Sequence, residues 1–228
     1  MNNQAFNMDC MKAMKKMKDK EFDLAIVDPV YGDVTQGGYM KNRSDGHDKS
    51  GHVIKSKKYH LALWDQDKTG ADYFRELKRV SKNQVIWGGC YFTKEIGENT
   101  QCWIVWDKDN GNSGYADFEV AWTSFNLASR IFKFRWNGML QQDMKNKEER
   151  IHPTQKPVAL YKWILTNYAK PGMKILDTHL GSGSSRIAAY DMGFDFTGYE
   201  IDKVYFEQQE ERFKKHINQT NMFVDFGL

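Results

Sequence analysis

The sequence predicts an α/β fold in which helices cover both faces of a mostly parallel sheet. Strand-like apolar runs alternate with segments of helical periodicity along most of the 228 residues, and this alternation is typical of such sheets. Two strand-like runs, Phe22–Val27 and Lys174–Asp177, lead directly into turns rich in Pro or Gly. The chain is long enough for one sizeable core, so we expect a single domain over residues 1–228.

The first half of the chain alternates helices and strands. Methionines recur at helical spacing in residues 9–19, which predicts a short helix with its methionine stripe toward the core. The apolar run 22–27 is typical of a buried parallel strand. Residues 71–80 have helical periodicity. Further strands are expected at residues 84–87, 101–106 and 119–122.

The second half repeats the alternation more regularly. A helix is expected over residues 157–168, with Pro171-Gly172 after its end. A charged helix over residues 202–216 closes the fold. Between these helices we expect a strand at 174–177, a turn at 178–184, a helix at 185–192 and a strand at 196–199.

Composition excludes several classes of protein. Hydrophobic residues make up 40% and charged residues 28% of the chain, which is a globular composition. No apolar stretch is long enough to span a membrane, and the N-terminus lacks the pattern of a secretory signal. Cys10, Cys90 and Cys102 form no CxxC pair, which argues against a disulfide framework or cysteine-based zinc and fits the reducing cytoplasm. We expect no metal site, since His47, His52 and His60 match no usual ligand spacing.

The net charge of +3 is only mildly basic, but its distribution is uneven. Residues 32–60 carry six Lys or Arg against three acids, and residues 130–157 carry seven against three. Such stretches either follow a phosphate backbone or are solvated surface loops. Residues 32–65 also hold five glycines and show no sustained period, so we expect a mobile basic loop there.

The turn after strand 174–177 has the features of a ligand-binding turn. Gly181 and Gly183 follow the strand directly and precede a helix, so they permit a tight turn whose amides face a ligand. Glu200 ends the next strand, where a carboxylate can bind both hydroxyls of a ribose. Asp177 is placed to meet a cation, and the absence of a GxxxxGK[ST] motif disfavours a nucleoside triphosphate. The alternative is a tight turn without a ligand.

The second turn, Asp28-Pro29-Val30-Tyr31, lies where α/β folds place ligands. The carboxylate of Asp28 and the carbonyl of Pro29 can accept both hydrogens of an exocyclic amine. Tyr31 can stack on the ring that carries this amine. An Asp-Pro pair also starts many turns without any function.

Together these motifs resemble the amino-methyltransferases of DNA that act on N6 of adenine or N4 of cytosine. The similarity is to their permuted beta class, in which the catalytic motif precedes the cofactor motif. DPVY resembles the family's (D/N/S)PP(Y/F/W), LDTHLGSGS resembles LDPFxGSGT, and residues 152–157 are a complete HPTQKP. The resemblance spans most of the chain and implies a single Rossmann-like domain with circularly permuted motif order.

The resemblance implies S-adenosylmethionine as the methyl donor and DNA as the substrate, in a restriction–modification setting. Asp28, Pro29 and Tyr31 would form the site of the target amine. Cofactor contacts would come from the acidic motif near the N-terminus, from HPTQKP, from the glycine-rich turn and from the end of the following strand: Asp9, Cys10, His152, Thr154, Lys156, Asp177, Gly181, Ser182, Gly183, Glu200 and Ile201. We expect the basic loop to contact DNA through Lys41, Arg43, Lys55, Lys57 and Lys58.

Three departures from the family pattern stand out. Val30 replaces the second Pro, and Thr178-His179 replaces Pro-Phe, which would cost one apolar contact near the cofactor. Residues 129–151 leave room only for a remnant of the usual recognition region. A chain without a separate recognition domain can also form a homodimer, as members of this class often do.

In the family that the chain resembles, DPPY-type motifs mostly accompany adenine, so the resemblance implies N6 of adenine as the target, reached by flipping the base out of the duplex. Four alternatives stay open: N4 of cytosine, an RNA base, an amide, and a relic that binds cofactor or DNA without transferring a methyl group.

Overall fold

A computed structural model describes residues 1–32, 46–47, 53–54, 68–111, 116–137 and 140–225. The chain divides into two compact units. The larger unit consists of Met1–Pro29 and Gly70–Leu228, and the smaller unit is Val30–Thr69.

The larger unit is built on an eight-stranded mixed sheet. Its strands are β1 (Asn3–Asn7), β2 (Phe22–Val27), β5 (Ser81–Trp87), β6 (Ile104–Asp107), β7 (Phe118–Thr123), β8 (Arg130–Lys133), β11 (Lys174–Asp177) and β12 (Asp195–Glu200). Their order in the sheet is β1-β12-β11-β2-β5-β7-β6-β8. The first five strands in this order run parallel to one another, β7 is antiparallel to both of its neighbours, and β6 and β8 are parallel. A separate two-residue pair, β9 (Trp136–Asn137) and β10 (Leu140–Gln141), follows β8.

Helices connect these strands. The described helices are α1 (Cys10–Met14), α2 (Ala71–Val80), α3 (Thr93–Ile96), α4 (Val158–Tyr168), α5 (Ser184–Asp191) and α6 (Lys203–Asp225), and a single 3-10 turn occupies Gly89–Tyr91. Within the described part of the chain, no helix is both long enough and apolar enough to cross a membrane.

Both faces of the sheet are buried. Side chains of a strand alternate between its faces, and Leu24 and Ile26 of β2 join one core cluster with residues of α4 and α5. Ala25 and Val27 of β2 are equally buried but lie outside that cluster, as does Phe74 of α2. The apolar run of β2 is therefore covered on both sides, as expected for a central parallel strand.

The smaller unit, Val30–Thr69, nearly coincides with the segment 32–65 that the sequence sets apart. It contains a short antiparallel pair of strands, β3 (Gly46–His47) and β4 (Val53–Ile54), where the sequence predicts no regular structure. Two-residue strands are too short to produce a detectable period. The predicted DNA-binding residues Lys41, Arg43, Lys55, Lys57 and Lys58 lie outside the described residues.

Most of the predicted elements are confirmed. The structure has β2, β11 and α2 with the predicted bounds, whereas α1 is shorter than the expected 9–19 and α6 is longer than the expected 202–216. Strands β1 and β8 were not predicted. These strands form the two edges of the sheet, where partly exposed side chains weaken the apolar pattern.

Candidate active site

Four carboxylates follow or end parallel strands at one edge of the sheet. Asp28 follows β2, Asp177 ends β11, Glu200 ends β12, and Asp9 comes two residues after β1. The carboxyl ends of parallel strands meet at the same edge, which is where open α/β sheets bind their ligands. The fold thus brings Asp28, from the first turn, and the glycine-rich turn to one side of the larger unit.

Glu200 organises the glycine-rich turn. Its Oε2 accepts a hydrogen bond from the backbone N–H of Gly181 at 2.8 Å, and its Oε1 accepts one from the N–H of Asp202 at 2.9 Å. Each carboxylate oxygen has a further lone pair, so both oxygens can still accept a hydroxyl hydrogen. Burial raises the pKa of Glu200, although these backbone N–H groups oppose the rise.

The turn itself requires glycine. Gly181 and Gly183 have positive φ angles of 51° and 73°, a region that other residues rarely adopt. A Cβ on Gly183 would also approach Gln209 to 3.1 Å. The two predicted glycines therefore hold a backbone shape that keeps the N–H groups at the start of α5 together.

Asp177 is a buried carboxyl group that has no cationic partner among the described residues. Its Oδ2 accepts from the hydroxyl of Ser185 at 2.5 Å, and its Oδ1 accepts from the N–H of His179 at 3.0 Å. Burial raises the pKa of Asp177 to about 7, and the nearby charges of Asp28 and Glu200 add to the rise. No Lys or Arg among the described residues forms an ion pair with Asp177. A bound cation would favour its ionised form.

The acidic N-terminal motif lies beside Glu200. Asn7 pairs with Glu200 in the sheet, and the N–H of Met8 donates to the carbonyl of Glu200 at 3.0 Å. Asp9 caps α1 by accepting from the N–H of Met11 at 2.8 Å. Burial, followed by the charge of Asp9, raises the pKa of Cys10 to about 12, so its thiol stays protonated at neutral pH.

Apolar surface is exposed at the same end of β1 and β12. The side chain of Ile201 is 51% exposed, that of Phe6 is 40% exposed, and Phe6 stacks on Tyr199. The predicted cofactor residue Ile201 is thus accessible and adjacent in sequence to Glu200.

The first half of the HPTQKP segment lies against the glycine-rich turn. A Cβ on Gly181 would lie 3.6 Å from Nδ1 of His152, and the His152 ring packs edge-on against Tyr205. The hydroxyl of Thr154 lies 3.1 Å from the same Nδ1. Burial, and then the charge of Lys156, lowers the pKa of His152 to about 3, so the ring is neutral at neutral pH.

Ser182 is tied into this region through α6. Its hydroxyl lies 3.1 Å from that of Ser184, and its carbonyl accepts from Arg212 at 2.8 Å. Arg212 also pairs with Glu148 at 2.6 Å. The arginine therefore links the turn to the segment that precedes HPTQKP.

Lys156 is the third residue of HPTQKP that the sequence predicts to bind the cofactor, and its side chain contacts Asp28. The ammonium of Lys156 forms an ion pair with Oδ2 of Asp28 and lies 3.2 Å from Oε2 of Glu119. Glu119, in β7, is in turn bound by Lys108 at 2.5 Å. The structure thus joins HPTQKP to the predicted catalytic carboxylate, a contact that sequence reasoning missed.

Tyr73 of α2 contacts both Thr178 and His179, the two residues that depart from the family pattern. The hydroxyl of Tyr73 lies 2.5 Å from that of Thr178, and its ring packs edge-on against His179. An aromatic contact is therefore present where the sequence predicted the loss of an apolar one. Burial lowers the pKa of His179 to about 4.

Tyr73, Lys108, Glu119 and Arg212 were not among the predicted site residues. None of them lies in a recognisable motif, and each reaches the site from an element far away in the sequence. Pro29 ends the first of the two segments that make up the larger unit, and Tyr31 belongs to the smaller unit.

The described residues suit S-adenosylmethionine. The buried carboxyl group of Asp177, which has no cationic partner among the described residues, suits an ammonium group. Glu200 keeps lone pairs that can accept the hydrogens of two hydroxyl groups. The apolar surface near Ile201 suits a flat base. The side chains and backbone of this chain supply each of these features.

Comparison with known proteins defines the class. The family model of the N6/N4 DNA methylases matches residues 7–211. The chain therefore belongs to this family, and it is a DNA methyltransferase of the N6-adenine/N4-cytosine type. The methyl donor of the family is S-adenosylmethionine.

Similar proteins include enzymes from restriction–modification systems. The chain is 25% identical to the type II methyltransferase M.HinfI of Haemophilus influenzae, over 91% of this chain and 67% of M.HinfI. Its fold is similar to that of M1.HpyAVI, solved as a complex with SAM, with a TM-score of 0.56, 21% identity, and coverage of 92% of this chain and 98% of that one. It is also similar to the cytosine-N4-specific PvuII DNA methyltransferase, with a TM-score of 0.56, 12% identity, and coverage of 96% and 92%.

Proposed function

We propose that the protein transfers a methyl group from S-adenosylmethionine to N6 of adenine in DNA. The observation that carries the proposal is the placement of Asp28 at the same sheet edge as Asp177 and Glu200. This placement supports the proposal, because a direct transfer requires the amine site and the cofactor site to be neighbours.

We assign the recognition of the target amine to Asp28 and the carbonyl of Pro29. These oxygens accept the two N–H groups of the amine and so turn its lone pair away from the ring. The bound cofactor supplies an electrophilic methyl group. Catalysis then depends on positioning and electrostatics. The new C–N bond would form as the bond between sulfur and the methyl carbon breaks, the electron pair of that bond would go to sulfur, and the surplus amine proton would then pass to solvent.

The base must leave the duplex to reach such a site, which costs a few kcal/mol. Stacking on Tyr31 would offset part of this cost. We further propose that the basic residues of the smaller unit contact DNA phosphates, that the protein acts in the cytoplasm, and that two copies associate. The three cysteines, all of them free, suit a reducing compartment.

The cofactor side follows from the chain's own groups. We assign Asp177, Gly181, Ser182 and Gly183 to the methionine end, together with His152 and Thr154. Glu200 would bind the ribose hydroxyls, while Asp9, Cys10 and Ile201 would flank the adenine. The circular permutation of the motifs stays a prediction.

Adenine and N4 of cytosine are the two candidate targets. The Asp in DPVY favours adenine, because in this family such motifs mostly accompany adenine and the serine forms accompany cytosine. The likeness to the cytosine-N4-specific PvuII enzyme concerns the fold alone.

The test is to incubate the protein with labelled S-adenosylmethionine and unmethylated genomic DNA, and to identify the labelled nucleoside after digestion. We expect N6-methyladenine. N4-methylcytosine would overturn the choice of base. Absence of label on DNA, with the cofactor still bound, would favour another substrate, such as an RNA base or an amide, or a silent binding protein.

A further inference from the structure

We infer that Lys156 is a positioning residue for the target amine, because its ammonium fixes the carboxylate of Asp28 in the orientation that receives the amine. This inference rests on the function proposed above. It gives Lys156 a role at the amine site, whereas the motif resemblance assigns it to the cofactor.

The contacts of Lys156 converge on one buried point. Its side chain is only 3% exposed, and its ammonium pairs with Asp28 and Glu119. The ammonium also lies 5.3 Å from the ring centroid of Trp87, a distance at which a cation is attracted by the indole face. Three strands, β2, β5 and β7, therefore contribute to its surroundings.

The charges of this cluster balance. Lys156 and Lys108 are two cations, and Asp28 and Glu119 are two anions. Burial disfavours the charge on Lys156, but the two carboxylates outweigh this effect and raise its pKa. Burial would likewise raise the pKa of Glu119, but Lys156 and Lys108 lower it to about 2. Lys156 and Glu119 are consequently both charged at neutral pH.

The backbone before Lys156 is held rigidly. The carbonyl of Gln155 accepts from the indole N–H of Trp136 at 2.9 Å. The side chain of Gln155 accepts from the N–H of Ile151 at 2.9 Å and donates to the carbonyl of Glu149 at 3.1 Å. The ammonium is therefore presented to Asp28 from a fixed frame.

Positioning matters at Asp28 because the last torsion of an aspartate has a broad energy minimum. A charge-assisted hydrogen bond from Lys156 to Oδ2 removes this freedom. Misplacement of a reacting group by about 1 Å costs about a hundredfold in rate. The same segment places His152 against the glycine-rich turn. HPTQKP therefore positions residues on both the cofactor side and the amine side of the site.

The experiment compares Lys156→Met with the wild type in single-turnover methyl transfer to DNA, together with the Kd for S-adenosylmethionine from calorimetry. The matched control is Lys162→Met, since Lys162 in α4 also pairs with a carboxylate, Asp191 at 2.6 Å, but is 43% exposed. We expect the transfer rate of Lys156→Met to fall by about a hundredfold while the Kd changes less than threefold. Lys162→Met should match the wild type in both.

Removing Lys156 takes one ammonium partner from Asp28 and one from Glu119 and can unfold the protein, so thermal melting accompanies every variant. Glu119→Gln provides a second test, since Glu119 is 32% exposed and Lys156 keeps its contact with Asp28. We expect a slower transfer rate, by about tenfold, with an unchanged Kd, because the ammonium loses one of its two anchors.

Three results would overturn the inference: an unchanged or faster transfer rate in folded Lys156→Met, an equal loss in rate and cofactor affinity, or, if Lys156→Met does not fold, an unchanged rate in Glu119→Gln. A wild-type protein that transfers no methyl group to DNA contradicts the proposed function instead, and this inference falls with it.

Discussion

The affinity for S-adenosylmethionine should depend on pH through Asp177. Burial raises the pKa of Asp177 to about 7, whereas an unperturbed aspartate titrates near 3.9. An acid whose folded pKa is raised stabilises the folded state below its unfolded pKa, and this stabilisation is lost as the pH rises through about 7. The ammonium group of a bound cofactor would reverse the preference, because it favours the ionised carboxylate.

The size of the pH effect on cofactor affinity follows from the pKa of about 7 for Asp177. If only ionised Asp177 binds tightly, the apparent Kd scales as one plus the ratio of protonated to ionised carboxylate. That factor is about 30 at about pH 5.5 and about 1.3 at about pH 7.5, so the affinity should rise by about 25-fold across this range. An α-amino group stays mainly protonated below about pH 7.7, and His152 and His179 are neutral throughout, with pKa values lowered by burial to about 3 and about 4.

The assay is calorimetric titration with S-adenosylmethionine at several pH values, in buffers of different ionisation enthalpy to count the protons released. The wild type should release about half a proton near pH 7. Asp177→Asn should bind more weakly at high pH and lose most of the pH dependence, which separates Asp177 from Glu200. A wild-type affinity that is flat between about pH 5.5 and about pH 7.5 would refute this reasoning.

Three further predictions concern other parts of the chain. Gly183→Ala should lower the free energy of unfolding by roughly 1–3 kcal/mol in denaturant titration, since its φ of 73° is strained for alanine; a smaller change would contradict the need for glycine. Burial lowers the pKa of His179 to about 4, so its neutral ring contributes stability that is lost as the pH drops from about 6.5 to about 4, whereas protonation of Asp177 acts in the opposite direction over the same range. The free energy of unfolding of the wild type, relative to that of His179→Gln, should therefore fall over this range, and a constant difference between the two proteins would contradict the lowered pKa of His179. Replacing Lys55, Lys57 and Lys58 by Ala should reduce the slope of log affinity for DNA against log salt by up to about 3, whereas an unchanged slope would show that they contact no phosphate.

The central elements could be predicted because their own residues carry the pattern. The run 22–27 is apolar except for Asp23, since both faces of β2 are covered, and the glycines of the turn after β11 mark a backbone conformation that other residues disfavour. The edge strands β1 and β8 could not be predicted in the same way. Their side chains are partly exposed, so no alternation stands out.

The same distinction applies to the candidate site residues: those in local motifs could be predicted, and those joined to the site only by contacts in the fold could not. Those in local motifs, such as Asp28, Asp177 and Glu200, were found and lie at one sheet edge. Glu119 was not, because its link to Asp28 runs through Lys156, and the three residues come from separate parts of the sequence. The contacts of residues within a motif also cannot be predicted from the motif itself. His152 and Lys156 belong to one hexapeptide, but His152 faces the glycine-rich turn and Lys156 faces Asp28.

The most direct test of the proposed mechanism is single-turnover methyl transfer from labelled S-adenosylmethionine to DNA by Asp28→Ala, with the Kd for the cofactor measured on the same preparation. Removing the carboxylate that accepts the amine should slow transfer by at least about a thousandfold. The Kd should stay within a few-fold of that of the wild type, because Asp28 is not among the residues assigned to the cofactor. Full activity in Asp28→Ala would contradict the assignment of Asp28 to the target amine.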